Sequence, residues 1–132
     1  MKKIVILISA GIVVGMIACK KKDNNTQQQT PPPTVTTCFK DEQSGTYTGD
    51  GVDNGTPFVG QNVTITKISC TSIKIQSPSS SYTISSLSAS GSNGYTGTSN
   101  TSQSSSISFT TSSTSYTVDI SIGTSFQFTG SK

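Results

Sequence analysis

The chain contains no histidine, arginine or tryptophan, and each absence excludes a kind of chemistry. Without histidine there can be no Ser-His-Asp or Cys-His catalytic group and no imidazole ligand for zinc. Without arginine there is no bidentate clamp for phosphate or carboxylate. Serine and threonine are so abundant that a serine near a lysine is expected by chance, so no Ser-Lys dyad can be argued. The sequence therefore predicts a protein that is not an enzyme and that has no cofactor and no metal site.

Charge is also scarce, and its distribution is uneven. The net charge of the 132 residues is +3, but from residue 38 onward four lysines stand against five acidic residues. Binding to nucleic acid needs a clustered basic face that neutralises phosphates. We therefore expect no nucleic-acid partner.

The first residues have the pattern of an export signal. Lys2 and Lys3 precede an apolar stretch at residues 4–17, which at about 14 residues is shorter than the roughly 20 needed to span a membrane. The tetrapeptide Met16-Ile17-Ala18-Cys19 resembles the lipobox of bacterial lipoproteins, in which the cysteine receives a diacylglyceryl thioether before cleavage. The resemblance implies a signal peptide at residues 1–18 and a lipidated Cys19. The lipid would attach the protein to a membrane, which is therefore the predicted partner. An ordinary signal peptide with an incidental cysteine, or an uncleaved anchor, is the alternative.

The residues that follow Cys19 are polar. Lys20-Lys21-Lys22-Asp23 resembles the start of small lipoproteins of the Bacteroidota, in which lysine and acidic residues after the cysteine direct the protein to the cell surface. The resemblance implies a cell-envelope protein anchored at the outer membrane. Contact of the lysines with anionic headgroups explains them equally well, so the periplasmic or surface-facing orientation stays open. Residues 19–37 include Gln27-Gln28-Gln29 and Pro31-Pro32-Pro33 without apolar periodicity, which predicts a disordered tether.

From residue 38 onward, apolar residues recur at every second position, as in Tyr116, Val118, Ile120 and Ile122. This alternation indicates strands with one buried and one wet face. Turn signals such as Asn54-Gly55 separate the runs. Strands are predicted near residues 45–52, 58–69, 71–77, 81–89, 94–98, 104–111, 114–122 and 126–131. The nearly all-polar segment 97–106 is expected to be a mobile strand-loop region or an insertion.

About eight short strands can close into an up-and-down barrel or split into a sandwich. Residues 45–49, 63–66 and 126–130 resemble the small lipocalin-like (calycin-like) domains carried by many such lipoproteins. The resemblance implies that residues 38–132 form an all-β domain, a small antiparallel eight-stranded barrel. An immunoglobulin-like sandwich is the alternative, although it commonly packs a tryptophan on its disulfide and this chain has none.

Two functional hypotheses follow for the β-domain of this predicted lipoprotein. In the first, the barrel is a non-enzymatic module that binds a small apolar ligand or a protein partner; alternatively, the interior residues only fill the core. The interior candidates are Tyr47, Ile65, Ile75, Ile84, Phe109, Val118, Ile120 and Phe128. In the second, the domain is a surface-exposed structural or adhesive module whose Ser/Thr faces contact glycans or proteins.

Two smaller features are open to two interpretations each. Cys38 and Cys70 form either a disulfide, which in an oxidising compartment would add roughly 3 to 4 kcal/mol of stability, or two separate thiols. Residues 50–55 are similar to a calcium loop, but Val52 offers no oxygen where a ligand is required. A hairpin turn is the better interpretation of that segment.

Overall fold

The computed structural model describes residues 38–132. The predicted signal peptide (1–18), the lipidated Cys19 and the predicted tether (19–37) lie outside the described residues and stay predictions. Within residues 38–132, no helix has the length and apolar character needed to cross a membrane.

Most of the described chain is antiparallel β-structure. The elements are a 3-10 helix at Asp41–Gln43 and the strands β1 (Gly45–Asp53), β2 (Thr56–Ser69), β3 (Ser72–Gln76), β4 (Ser81–Ala89), β5 (Gly94–Ser99), β6 (Ser104–Thr111), β7 (Tyr116–Ile122) and β8 (Phe126–Ser131). The apolar alternation therefore predicted every strand end to within two residues. The 3-10 helix was not predicted, because three residues carry no periodicity.

The sheet closes on itself. Each strand pairs with the next, and β8 returns to β1, with Gly51 opposite Phe128 and Asp53 opposite Phe126. This last pairing leaves no free edge and distinguishes a barrel from a two-sheet sandwich. The predicted eight-stranded antiparallel barrel is thus confirmed, and the immunoglobulin-like alternative is wrong.

The segment 97–106 is more ordered than its composition suggested. Residues up to Ser99 belong to β5, only residues 100–103 form a turn, and Ser104 begins β6. Gly97 pairs with Ser105 across the two strands. The expected strand-loop organisation is therefore confirmed, its mobility stays a prediction, and the alternative of an insertion is wrong, because both strands have hydrogen-bonded neighbours in the barrel.

Turns and bulges shape the barrel wall. Asn54 and Gly55 have φ values of 49° and 81°, which a two-residue hairpin with a primed turn requires, so residues 50–55 form a hairpin as expected. In β2, Val59 and Gly60 lie opposite the single residue Asp50 of β1. A second irregularity of β2 leaves Ile68 unpaired. Both sites are β-bulges, which re-aim the side chains that they carry.

A short segment before β1 closes one end of the barrel, and we call it the plug (residues 38–44). It carries Phe39, which is fully buried, and the 3-10 helix. The plug lies at the end of the barrel that contains the β2–β3 turn and the end of β8, which we call the plugged end. The opposite end, with the β1–β2 turn and the β3–β4 loop, we call the open end.

Candidate functional site

All eight residues predicted to line the interior point into the barrel core. Each is at most 5% exposed, and they belong to one continuous apolar cluster with Phe39 and eight further buried residues. Aromatic rings dominate the cluster; for example, the ring centroids of Tyr47 and Phe109 are 6.3 Å apart. The expected interior position is confirmed. The role of these residues in binding an apolar ligand stays a prediction.

The plug occupies interior space at the plugged end. The Phe39 ring lies between those of Tyr95 and Phe109, with centroid distances of 5.1 and 5.9 Å. Gln43 is buried behind it: its side-chain oxygen accepts a hydrogen bond of 2.8 Å from the Tyr95 hydroxyl, and its backbone carbonyl accepts one of 2.8 Å from the Tyr47 hydroxyl. The plug therefore fills space that a ligand entering from this end would need.

Several further contacts hold the plug in place. A disulfide joins Cys38 to Cys70, as the first interpretation of these cysteines expected. The backbone N–H of Phe39 donates to the Cys70 carbonyl at 3.0 Å, and the Lys67 ammonium pairs with the Asp41 carboxylate at 2.8 Å. The Lys132 ammonium donates to the carbonyl oxygens of Glu42 and Ser44. Covalent, polar and apolar contacts thus act on the same seven-residue segment.

A buried carboxylate organises the open end. Asp53 is 3% exposed, and its oxygens accept hydrogen bonds from Ser77, from Ser79 at 2.7 Å and from the Tyr82 hydroxyl at 2.8 Å. The Asn54 side-chain amide also donates to it, at 3.1 Å. These donors join the β1–β2 turn to the β3–β4 loop, so one side chain ties two loops together.

The same donors determine the charge state of Asp53. Burial alone raises the pKa of a carboxyl group, but the hydrogen bonds from Ser77, Ser79 and Tyr82 stabilise the anion. They outweigh the burial, and the pKa of Asp53 lies below its ordinary value. Asp53 is therefore ionised at neutral pH without a lysine beside it.

The outer wall of β4 to β7 contains a groove of about 580 Å³. Its lining consists of serine, threonine and glycine only: Ser86, Ser88, Thr96, Gly97, Thr98, Ser104, Ser105, Ser106, Ser121 and Gly123. Ser88, Thr96, Ser106 and Ser121 are paired in register across the four strands. Because neighbouring strands are about 4.8 Å apart, their outward side chains form a row at that spacing, which we call the hydroxyl row.

A second depression, of about 320 Å³, continues the groove over β6 to β8 and shares Ser106 and Ser121 with it. Here Gln127 lies opposite Ser121, and Asp119 lies opposite Thr129, whose hydroxyl donates to the Asp119 carboxylate at 2.7 Å. Asp119 is the single ionisable residue that lines either depression. The combined surface offers hydroxyl, amide and carboxylate groups.

No protein family matches this sequence, and no curated protein and no solved structure gives a significant match.

Three of these features were missed by sequence reasoning. Phe39 stands before the first alternating strand, and its only signal is its position next to Cys38. Asp53 was considered only as part of a turn, since its partners at residues 77–82 are distant in sequence. The groove lies along the segment 97–106, for which a mobile strand-loop region or an insertion was expected. Abundant Ser and Thr on successive outward positions was the available signal for it.

Proposed function

We propose that this chain is a lipid-anchored protein of the bacterial cell envelope whose barrel is a non-enzymatic binding domain. Its site is the outer groove, and its ligand is uncharged and rich in hydroxyl groups, which is the chemistry of a glycan. The observation that carries the proposal is the lining of the groove, which consists of serine, threonine and glycine across four strands.

The chemistry of the lining favours such a ligand over others. A hydroxyl group can both donate and accept, so a row of hydroxyls is best satisfied by a partner that also does both. An apolar ligand would remove these groups from water without replacing their hydrogen bonds, which is costly. The groove is lined by no lysine that could attract an anion.

The geometry of the lining also suits an extended chain of sugars. The strand spacing of about 4.8 Å sets the step between successive hydroxyls of the hydroxyl row. That step is close to the length of one sugar ring, so successive rings can each meet one strand. Where the groove continues over β7 and β8, the Gln127 amide and the Asp119 carboxylate offer the directional hydrogen bonds that distinguish one sugar hydroxyl from another.

The binding test uses the full-length lipidated chain in detergent micelles, titrated with a neutral polysaccharide (dextran) and an anionic one (hyaluronate). We expect dextran to shift the amide resonances of Thr96, Ser106 and Ser121 and hyaluronate to leave them unchanged. Ser106→Gln, which fills the groove, should weaken dextran binding at least tenfold. Ser81→Gln, at an exposed strand position outside the groove, is the matched control. Preference for hyaluronate, or equal weakening by both substitutions, would contradict the proposal.

The anchor is tested separately by mass spectrometry of the mature N-terminus. We expect a peptide that begins at Cys19 and carries diacylglycerol in thioether linkage, with residues 1–18 removed. Proteolysis of intact cells then distinguishes the two orientations, since only a surface-facing barrel is exposed to added protease. An unmodified Cys19 would overturn the lipid anchor and leave the groove proposal standing.

An apolar ligand inside the barrel is the second candidate. The observation that favours it is the ring of Phe58 at the open end, which is only partly buried and stacks on Phe126 and Phe128 at 6.3 and 6.1 Å. A ligand that enters at the open end would pack against the exposed part of the Phe58 ring. A fluorescent fatty acid that gains emission with the wild-type chain, but not with Phe58→Ser, would support this candidate; no gain with either would remove it.

A further inference from the structure

We propose that the plugged end of the barrel is a membrane-contacting surface, in which Ile68 enters the headgroup region of a lipid bilayer and the excess positive charge of this end faces anionic headgroups. This inference rests on the proposed lipid anchor and adds to it a defined orientation of the barrel. Its elements are a bulge, a charge distribution and the position at which the chain enters the domain.

The end of β2 carries an outward-facing isoleucine. Val63 and Ile65 of this strand are buried, so by alternation Ile68 lies on the outer face, and it is 58% exposed. Relative to β3, the strand register passes from Lys67 to Ser69, which leaves Ile68 at a bulge without a partner. An apolar side chain held outward at the end of a rigid hairpin is suited to insertion among lipid headgroups and acyl chains.

Three of the four lysines of residues 38–132 lie at the same end. Lys40 belongs to the plug, Lys67 is next to Ile68, and Lys132 directly follows β8, whereas the fourth lysine is in the middle of β3. Asp41 and Glu42 lie at this end too, which leaves it positive by one charge. Anionic lipid surfaces attract basic groups placed in this way.

The chain enters the barrel at this end, so the proposed anchor is joined to it through the predicted tether. Cys38 begins the plug, and its disulfide partner Cys70 is two residues beyond Ile68. Everything that precedes residue 38 therefore joins the barrel beside Ile68. Tethering raises the effective concentration of the surface at the bilayer, so contacts that are weak by themselves become populated.

A bilayer fits this surface better than a protein partner does. A stable protein interface needs about 1,000 Å² of complementary surface. Ile68 is a single apolar residue with lysine and serine as its neighbours in β2, and the other large exposed apolar residue, Val59, lies toward the opposite end of that strand. One inserted side chain together with basic groups is sufficient for a lipid surface. The open end then points away from the membrane, and the hydroxyl row lies on the side wall of an upright barrel.

The test places the full-length lipidated chain in nanodiscs of three parts neutral to one part anionic phospholipid, with a trace of lipid that carries a paramagnetic headgroup. We expect the methyl resonances of Ile68 to relax at least threefold faster than those of Val59, which is 75% exposed on the same strand. Equal relaxation of both in the attached protein would overturn the orientation and leave the anchor intact. A protein that fails to attach would overturn the anchor and this inference together.

Substitutions separate the contribution of Ile68 from that of tethering alone. In Ile68→Ser, the orientation is observed through the methyl group of Ile73 at the plugged end relative to that of Ile122 at the open end. We expect Ile68→Ser to remove most of the difference in relaxation between these two methyl groups and Val59→Ser to preserve it. Both replaced residues are exposed, so unchanged unfolding temperatures confirm that the fold is intact. An undiminished difference in Ile68→Ser would contradict the insertion of Ile68.

Discussion

At the plugged end of the barrel, a disulfide and an inserted phenylalanine hold the plug in place, whereas at the open end a single buried carboxylate connects two loops. The first arrangement includes the Lys67–Asp41 ion pair but depends mainly on a covalent bond and on apolar burial, which change little between acid and neutral pH. The second depends on the ionisation of Asp53. The two ends of one thin barrel are thus closed by independent means. Each end should lose stability under different conditions.

The largest effect is expected from Phe39→Ala at the plugged end. The Phe39 ring is fully buried against Tyr95 and Phe109, so its removal should lower the free energy of unfolding by about 3 to 5 kcal/mol. Urea denaturation measures the difference. Phe58→Ala at the open end is the matched control and should cost less, because the Phe58 ring is only partly buried. A larger loss in Phe58→Ala would reverse the proposed ranking of the two ends.

The second-largest loss of stability is expected from removal of the disulfide. Replacing Cys38 and Cys70 by serine opens a loop with a sequence separation of 32 residues, and the stability should fall by about 3 to 4 kcal/mol. The same urea titration applies, with and without a thiol reductant. Reductant should destabilise the wild-type barrel and leave the double variant unaffected. If reductant leaves the wild-type protein unchanged, the bridge does not contribute to the stability of the plugged end.

The sequence predicted those features of the barrel that depend on residues close together in the chain. Alternation is a local pattern, and it sufficed for the eight strands and for the burial of residues such as Ile84 and Val118. The cysteine pair was also open to prediction, because a predicted export signal together with two cysteines beyond Cys19 suggests a bridge. The closure of the barrel was predicted from strand number and resemblance together, with a sandwich as the alternative.

The remaining features depend on contacts that no local pattern encodes. Asp53 has hydrogen-bond partners 24 to 29 residues away in the chain, so its burial follows from the meeting of two loops. Phe39 is buried because the barrel leaves space at one end, which is a property of the closed sheet. The groove arises where small side chains on β4 to β7 lie in register, and this register between strands is not encoded in the alternation within any one strand.

At the open end, Asp53→Asn should lower the free energy of unfolding by about 1 to 3 kcal/mol at neutral pH. The amide nitrogen of asparagine cannot accept hydrogen bonds, so at least one of the hydroxyl donors from Ser77, Ser79 and Tyr82 loses its partner. Asp50→Asn is the control, because the exposed Asp50 accepts a backbone hydrogen bond from Gly60. Equal losses of unfolding free energy in the two variants would show that the buried hydrogen bonds of Asp53 stabilise the barrel no more than the exposed one of Asp50.

Acid provides a second measurement on the same residue. The pKa of Asp53 is lowered on folding from an ordinary value of 3.8, because its hydrogen bonds outweigh the effect of burial. The stabilisation is therefore complete above that value and is lost as the pH falls through the lower, folded value. Thermal unfolding below about pH 4 should show a smaller loss of stability in Asp53→Asn than in the wild type. An identical acid dependence would assign the acid sensitivity to other carboxylates.

The smallest effect is expected from Tyr47→Phe, which compares the two ends in alkali. Burial, followed by the nearby Tyr116, raises the pKa of Tyr47 to about 12 from an ordinary 10.0. The protonated Tyr47 hydroxyl therefore stabilises the fold fully below pH 10.0, and this stabilisation is lost as the pH rises through about 12. Removing the hydroxyl that donates to the Gln43 carbonyl should cost about 1 kcal/mol at neutral pH and weaken the alkaline dependence.

Tyr82→Phe is the counterpart of Tyr47→Phe at the open end. Burial, together with the hydrogen bond that Tyr82 donates to Asp53, raises the pKa of Tyr82 as well. Alkali should therefore weaken both ends, whereas acid acts at the open end through Asp53. Thermal unfolding of the two variants at neutral and alkaline pH tests this asymmetry. Lys132→Gln is measured beside them, because the Lys132 ammonium lies 4.9 Å from the Tyr47 ring centroid and burial lowers its pKa. An alkaline dependence that changes only with Lys132→Gln would assign the effect to the lysine and remove Tyr47 from the comparison.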